Sequence, residues 1–513
     1  MRSAFRSSRA SAFVSICDLV LFGVFAMGGC VEDEVPPQRD PVEMPVPDEP
    51  TGARRVTVTH SIAPTLLAPA QERTACYSWT LDNDAPLYVD TVAFANLGAF
   101  HHSNWFVVPE DAYPGDDGMW DCTDRRFDAF AAAQAGTVLF AQSTQAWDER
   151  MDLANGAVIR IPERSKIVGD LHLLNLAPSA AETAAWLSLD LVHPWDVETV
   201  LVPLQLTYLD LEIPAKGKAR FTAACPSLET AGNPLDIYYV LPHFHSTGDY
   251  FELWIENDET SSRRPLVLLE GFGADAIGQT FDPPVLKRAT ERLHFTCGYD
   301  NWYSEPLKWG IGIDEMCVVL ALVDAVDVSS SVVLENDGFF GVQDGVAVNT
   351  GACETFTVPK GLAYALPTPE ELGAPLYVPG NVDAVDGPPP GPTCVDADLA
   401  AQPLATPTLD NLRTHVFEPS CNFSACHGDA QAGGLHLTVA GLREALLTHE
   451  VRAATDLPLV SPGDPDGSWL YRVLSRCDPG AGAAHMPRNA PVLLSDETIA
   501  LVAAWIQAGA EGE

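Results

Sequence analysis

The chain has 513 residues, 47% of them apolar and 19% charged, a balance that suits about three globular domains and excludes a chain disordered throughout. Its 29 basic and 70 acidic residues give a formal charge of −41, which repels a phosphate backbone and argues against a nucleic-acid partner. Twelve cysteines are too many for an ordinary cytosolic enzyme unless they are paired or hold metal or haem.

The first thirty residues read as an address. Arg2, Arg6 and Arg9 come before any acid, an apolar stretch runs from Leu19 to Met27, and Gly28-Gly29-Cys30 follows with the small residues of a cleavage point. The apolar run is far below the roughly 20 residues of a spanning helix. Cys30 directly after two glycines resembles the lipobox of bacterial lipoproteins. Residues 1–29 are therefore expected to be a lipoprotein-type signal peptide and Cys30 the lipidated residue. A plain secreted protein cut near Gly29 is the other reading. Both place the protein in or beyond the bacterial cell envelope, as an outer-membrane lipoprotein or a secreted protein, with a lipid anchor as its only membrane contact. Residues 30–53, rich in proline and acids, read as an extended tether. A second Pro/Gly-rich break covers residues 366–396, with Pro388-Pro389-Pro390 inside it.

Between these breaks the pattern is β. Leu87–Phe94, Ala157–Ile161, Trp186–Val192 and Leu235–Val240 are short runs of β-branched and aromatic residues, punctuated by Pro, Gly and Asn. The body of about 310 residues is expected to form two tandem antiparallel sandwiches, jelly-roll-like, over 54–200 and 201–365.

Three histidine features lie in it. His101-His102 follow a strand-like run, His172 sits within Ile167–Asn175, and His243-Phe244-His245 follows the run ending at Val240. On a strand, residues i and i+2 share a face, so His243 and His245 can aim at one point. Asp314-Glu315-Met316-Cys317 comes later. A thioether added to two imidazoles suits copper, since soft sulfur stabilises Cu(I); zinc more usually takes Cys, His or carboxylate. Asp314-Glu315 reads as local structure rather than an acid–base pair.

Taken in order, His-His, His, His-x-His and Glu-Met-Cys resemble the copper type II, ascorbate-dependent monooxygenases, the family of the peptidylglycine α-hydroxylating and dopamine β-monooxygenases. The resemblance covers roughly residues 54–360. It implies that His101, His102 and His172 hold a first copper that relays electrons, and that His243, His245 and Met316 hold a second, where dioxygen reacts. It implies hydroxylation of a substrate C–H bond, with one oxygen atom entering the product, the other leaving as water, and ascorbate as a possible reductant. It also implies the disulfides Cys297–Cys317, Cys225–Cys353 and Cys76–Cys122. Peptide-hydroxylating members hold the peptide carboxylate with Arg, Asn and Tyr, where this chain has Leu241, Val318 and Leu320. An apolar trio leaves a carboxylate without a charge partner, so an apolar or cationic small molecule is expected rather than a peptidylglycine.

Residues 397–513 read as a small helical domain. Thr408 can cap a helix with Leu409, Leu412, Val416 and Phe417 on one face, and Ser495 another with Ile499, Val502, Ala503 and Ile506, closed by Gly509. Between them lies Cys421-Asn-Phe-Ser-Ala-Cys426-His427, a wider version of the thiol–thiol–imidazole pattern that attaches haem c. With His485-Met486-Pro487 further on, the segment resembles class I cytochrome c-like domains. That resemblance implies thioethers at Cys421 and Cys426 and axial ligation by His427 and Met486, with His436 and His485 as other axial candidates. Cys394 and Cys477 would then pair. Without haem, the four cysteines would form two bridges. His60, His193, His294, His415 and His449 read as ordinary histidines.

Two functional readings follow. The first is an exported copper monooxygenase acting on a small organic molecule, with a fused cytochrome relaying electrons. The second is a surface lipoprotein that binds copper or carries electrons without catalysis.

Overall fold

The computed structural model describes residues 50–512 except 143–145, 177–178, 226–233, 271–277, 311–313, 381–393, 424–425, 454 and 489–493. The expected leader, Cys30 and the tether up to residue 49 lie outside them. Among the described residues no helix is long and apolar enough to cross a membrane.

The protein is mainly β. Two sheets enclose a first core. One sheet orders its strands Arg55–Leu67, Ala181–Val192, Leu87–Asn96, Ala157–Ile161 and Thr199–Val200, with Asp148–Asp152 also paired to Leu87–Asn96. The other orders Gly118–Trp120, Glu72–Thr80, Ser165–Leu174, Phe100–Pro109 and Thr137–Gln142. Alternation decides what goes inside. Leu187, Leu189 and Leu191 enter the core, while Asp190 between them takes Arg55 at 2.8 Å and Thr57 at 2.6 Å on the opposite face.

Two further six-stranded sheets enclose a second core. The strands Gln279–Lys287, Leu235–His243, Val318–Asp324, Val202–Tyr208, Asp327–Val333 and Glu354–Pro359 form one. The strands Arg263–Glu270, Gly248–Asn257, Glu291–Asp300, Lys218–Cys225, Val346–Ala352 and Gly338–Gln343 form the other. One strand of the second pair of sheets contributes to both cores. A bulge between Ile237 and Tyr239 shifts the strand's register, so Val240 enters the second core while Tyr239 and Leu241 join the first. Leu320, opposite Leu241, packs against the first core as well.

The four sequence runs read as strands all lie in strands, with Leu235–Val240 continuing to His243, but the sheets are mixed rather than antiparallel throughout as expected, because long connections bring Thr199–Val200 parallel to Ala157–Ile161, Asp327–Val333 parallel to Val202–Tyr208 and Val346–Ala352 parallel to Lys218–Cys225. The C-terminal region has short helices around a third core. Thr408 caps Leu409–Leu412, its hydroxyl accepting from the Asn411 N–H at 3.2 Å. The expected regular helix is interrupted there, because Arg413–Phe417 widens into a π turn before Glu418–Ser420. Ser495 caps Asp496–Gln507, and Gly509 follows at φ +96°. The buried face of that helix is broader than expected, since Leu501 and Trp505 are buried with Ile499, Val502 and Ile506.

The disulfides are Cys76–Cys122, Cys225–Cys353, Cys297–Cys317 and Cys394–Cys477, the same pairs named from the sequence. Cys421 and Cys426 remain thiols.

Candidate metal centre

His101 and His102 lie on the strand Phe100–Pro109 and His172 on its neighbour Ser165–Leu174, with His102 directly opposite His172. Adjacent residues on a regular strand point to opposite faces, which would separate His101 from His102. A bulge prevents it. Between Phe100 and His102 one strand advances by two residues while its partner, from Leu173 to His172, advances by one. His101 is the extra residue, and the bend aims it with its neighbour. Phe100, Trp105 and Val107 enter the first core while Phe106 and Val108 join a cluster on the other side of the sheet, which places His102 on that outer side.

The three imidazoles each offer a nitrogen within 4.8 Å of the others. The Nδ1 atoms of His101 and His102 are 3.0 Å apart, and the His101 ring stacks on His172 at 4.9 Å between centroids. Burial and the charge of His172 push His101 down to about 3, and burial holds His102 well below the usual histidine range. Both are therefore neutral at neutral pH and offer lone pairs. The carboxylate of Glu72 sits 2.8 Å from Nε2 of His172.

The second pair is built differently. The strand Leu235–His243 ends at His243, so His245 lies in the turn beyond it, which closes through the Gly248 N–H to the His245 carbonyl. The two rings nevertheless sit 5.3 Å apart, with Phe244 between them in the second core. His243 has the strand parity of Tyr239 and Leu241, the side packed against the first core. Burial and the neighbouring His245 push His243 down to about 4. The Nδ1–H of His245 donates to the Asp314 carbonyl at 2.6 Å, which leaves Nε2 as its free nitrogen.

Glu315 holds this turn in place. It is fully buried and accepts from the His245 N–H at 2.8 Å and from the Thr247 N–H and hydroxyl at 2.7 and 2.6 Å. Burial pushes its carboxyl above the ordinary range, against the pull of His245 and these donors. Met316 comes next. Its carbonyl accepts from the Tyr299 hydroxyl at 2.8 Å, Cys317 bridges to Cys297 across the second core, and Val318 pairs with His243. Met316 is thereby held on the segment beside the His243–His245 turn. The two histidine groups are electrostatic neighbours, since the charges of His243 and His245 both depress His102.

The C-terminal region docks against the second pair of sheets. Trp302 Nε1–H and the Tyr303 hydroxyl both donate to the Ala430 carbonyl, at 3.2 and 2.5 Å, and Asp300 pairs with Arg452. Asp300 in turn donates its N–H to the Thr247 carbonyl at 2.8 Å. On the other side, Arg488 contributes to the depression of His101 and Glu72 to the elevation of Cys426.

The thiols of Cys421 and Cys426 are pushed up to about 12, chiefly by burial. His427 directs Nδ1 to the Leu435 carbonyl at 3.2 Å, leaving Nε2 free of that bond. Cys421 and Met486 both pack on the third core. His436 is engaged instead with the Thr438 hydroxyl.

Of the ordinary histidines, His193 bonds the Ala374 carbonyl at 2.8 Å, His60 stacks on Trp79 at 4.2 Å, and His294 stacks on Trp254 at 5.0 Å. The sequence reading missed Glu72 and Tyr303. Glu72 carried no local signal, because its partner is 100 residues away. Glu315, read with Asp314 as structural, holds the turn through donors 68 and 70 residues away.

No protein-family model matches the chain, and no curated protein matches it. Among solved structures, the major capsid protein P2 of bacteriophage PM2 aligns over 52% of this chain and 97% of its own, at 10% identity and TM-score 0.23. A structure of Sulfolobus turreted icosahedral virus aligns over 52% and 59%, at 6% identity and TM-score 0.16. The PBSX exported protein XepA aligns over 52% and 86%, at 11% identity and TM-score 0.15. Likenesses at this level assign neither fold nor function.

Proposed function

We propose that this chain is an exported copper-dependent monooxygenase that hydroxylates a C–H bond of a small organic molecule. The observation that carries the reading is the convergence of His101, His102 and His172 beside His243 and His245, achieved through a bulge that a purely structural strand does not need. The donor set fits copper. It comprises half-buried imidazoles in two neighbouring groups, of which His101, His102 and His243 are held well below the usual histidine range by desolvation, with Met316 fixed on the segment next to the second. His101, His102 and His172 would hold one copper, and His243, His245 and Met316 the other. When bound, copper supplies one-electron chemistry and the reduction of dioxygen, which with two electrons and two protons gives a hydroxylated product and water.

The chain's own residues prepare that chemistry. The Asp314 carbonyl fixes the His245 ring, and Glu315 fixes the turn that carries it. Leu241 and Leu320 line up on adjacent strands and give a substrate carboxylate no cation, which favours an apolar or cationic substrate over a peptidylglycine. In this reading the two pairs of sheets are tandem jelly-roll-like sandwiches over 54–200 and 201–365, the linker is 366–396, and 397–513 is a cytochrome c-like domain. Free thiols at Cys421 and Cys426, with His427 tied back through Nδ1, suit a covalently attached haem with Met486 as second ligand. Ascorbate, or an electron passed through that haem, would be the reductant. A signal over 1–29 and lipid at Cys30 would place the protein in the cell envelope.

Copper and haem content of the exported full chain, followed by oxygen uptake with ascorbate and a panel of C–H donors, tests this. Two coppers per chain and substrate-dependent uptake are expected. Copper-loaded protein that turns over no donor would leave the non-catalytic copper-binding or electron-transfer reading in its place.

A further inference from the structure

Glu72 begins the strand Glu72–Thr80, whose neighbour is Ser165–Leu174. Glu72 lies opposite Leu174, and Thr74 opposite His172, so the carboxylate and the imidazole are diagonal neighbours one pleat apart. Tyr77 and Trp79 of this strand enter the first core, which gives Glu72 the outward parity of His172. The contact between them is 2.8 Å, with both side chains largely shielded from solvent.

A neutral imidazole carries one proton. If that proton sits on Nε2 of His172 and is given to the carboxylate, the lone pair is left on Nδ1. His101 and His102 already bring their own Nδ1 atoms to 3.0 Å of one another. Two such nitrogens come that close only around a shared proton or a shared cation.

We propose that Glu72 is the positioning residue of the first histidine group, holding His172 as the Nε2–H tautomer so that all three imidazoles present Nδ1 to one metal ion. This rests on the copper reading above and deepens it. Carboxylates in this relation to a histidine ligand raise its basicity, and their loss typically weakens metal binding 10–100-fold. The anionic carboxylate also favours the more highly charged Cu(II) over Cu(I).

The test uses the full chain carrying H243A/H245A, so that only the first group binds copper. Chelator competition gives its Cu(II) and Cu(I) affinities, and electron paramagnetic resonance gives the nitrogen hyperfine pattern. Glu72→Ala is expected to weaken Cu(II) binding at least about tenfold and to alter that pattern, with the thermal unfolding of the metal-free chain unchanged. Glu72→Gln keeps an acceptor without the charge. It is expected to weaken Cu(II) about tenfold more than Cu(I), which is a rise of about 59 mV in potential. Should the Glu72 variants leave both affinities and the spectrum unchanged while His172→Ala lowers them, the positioning role is wrong and the copper reading stands. If the H243A/H245A chain binds no copper at all, the reading itself fails and this inference falls with it.

Discussion

The two histidine groups reach similar ends by opposite means. The first lies on a strand ladder, and one extra residue in that ladder turns adjacent histidines to the same side. Its rigidity comes from two paired strands, and its orientation from a carboxylate on a third. The second lies where a strand stops. His245 is outside the ladder, and its position depends on a buried carboxyl, a backbone carbonyl and a disulfide one residue beyond Met316. The ladder-borne group is bounded by backbone bonds on paired strands, whereas the turn-borne group leaves His245 outside any ladder, bounded by fewer.

That contrast breaks most visibly in metal content. H243A/H245A is expected to lower copper from two to one per chain and to abolish oxygen uptake. H101A/H172A should also halve copper, with the remaining metal at the other group. Replacing Met316 with Ile should stop oxygen uptake while the first copper stays. Loss of both metals in any of these variants would mean that the groups are a single site.

A smaller effect tests the clamp. Glu315→Ala leaves the buried N–H groups of His245 and Thr247 without their acceptor and should cost about 3 kcal/mol in urea unfolding. Glu315→Gln, which keeps one acceptor oxygen, should cost about half as much. The first group's copper affinity should be unaffected by either variant; a change there would show that the two groups share one support.

The dock between the C-terminal region and the second pair of sheets is weaker still. Tyr303→Phe removes one of two donors to the Ala430 carbonyl, leaving Trp302 in place. About 1 kcal/mol is expected, seen as faster hydrogen exchange over residues 429–434 and not in the strands. Unchanged exchange there would mean the hydroxyl contributes nothing to the dock.

An effect of similar size is one of pH. Burial, with Arg452 and His427 nearby, pushes His449 down to about 4, against about 6.5 in an unfolded chain. The unfolded state therefore binds the proton first. The stabilising difference is whole above pH 6.5 and is lost as pH falls toward 4, by about 1 kcal/mol once solvent screening at its exposed edge is allowed for. His449→Gln should flatten that part of the stability–pH curve, and an unchanged slope would place the titration elsewhere.

The residues of both groups were legible because their types and order carry chemistry whatever the fold does with them. The β-rich body was legible for a different reason: short runs such as Ala157–Ile161 and Trp186–Val192 are rich in β-branched and aromatic residues and are bounded by turn residues. The helix after Thr408 was legible only at its cap. The π turn at Arg413–Phe417 answers to packing in the third core, which local propensity does not encode.

Sequence by itself determined the composition of the site, the strand-forming pattern around it and the cysteines available to brace it. Tertiary structure decided which of those residues meet. A bulge is set by pairing with a strand some seventy residues away, so nothing local announces that His101 and His102 share a side. Glu72 and Glu315 acquire partners only when distant strands are laid together, because a carboxyl's role depends on what shields it and what donates to it.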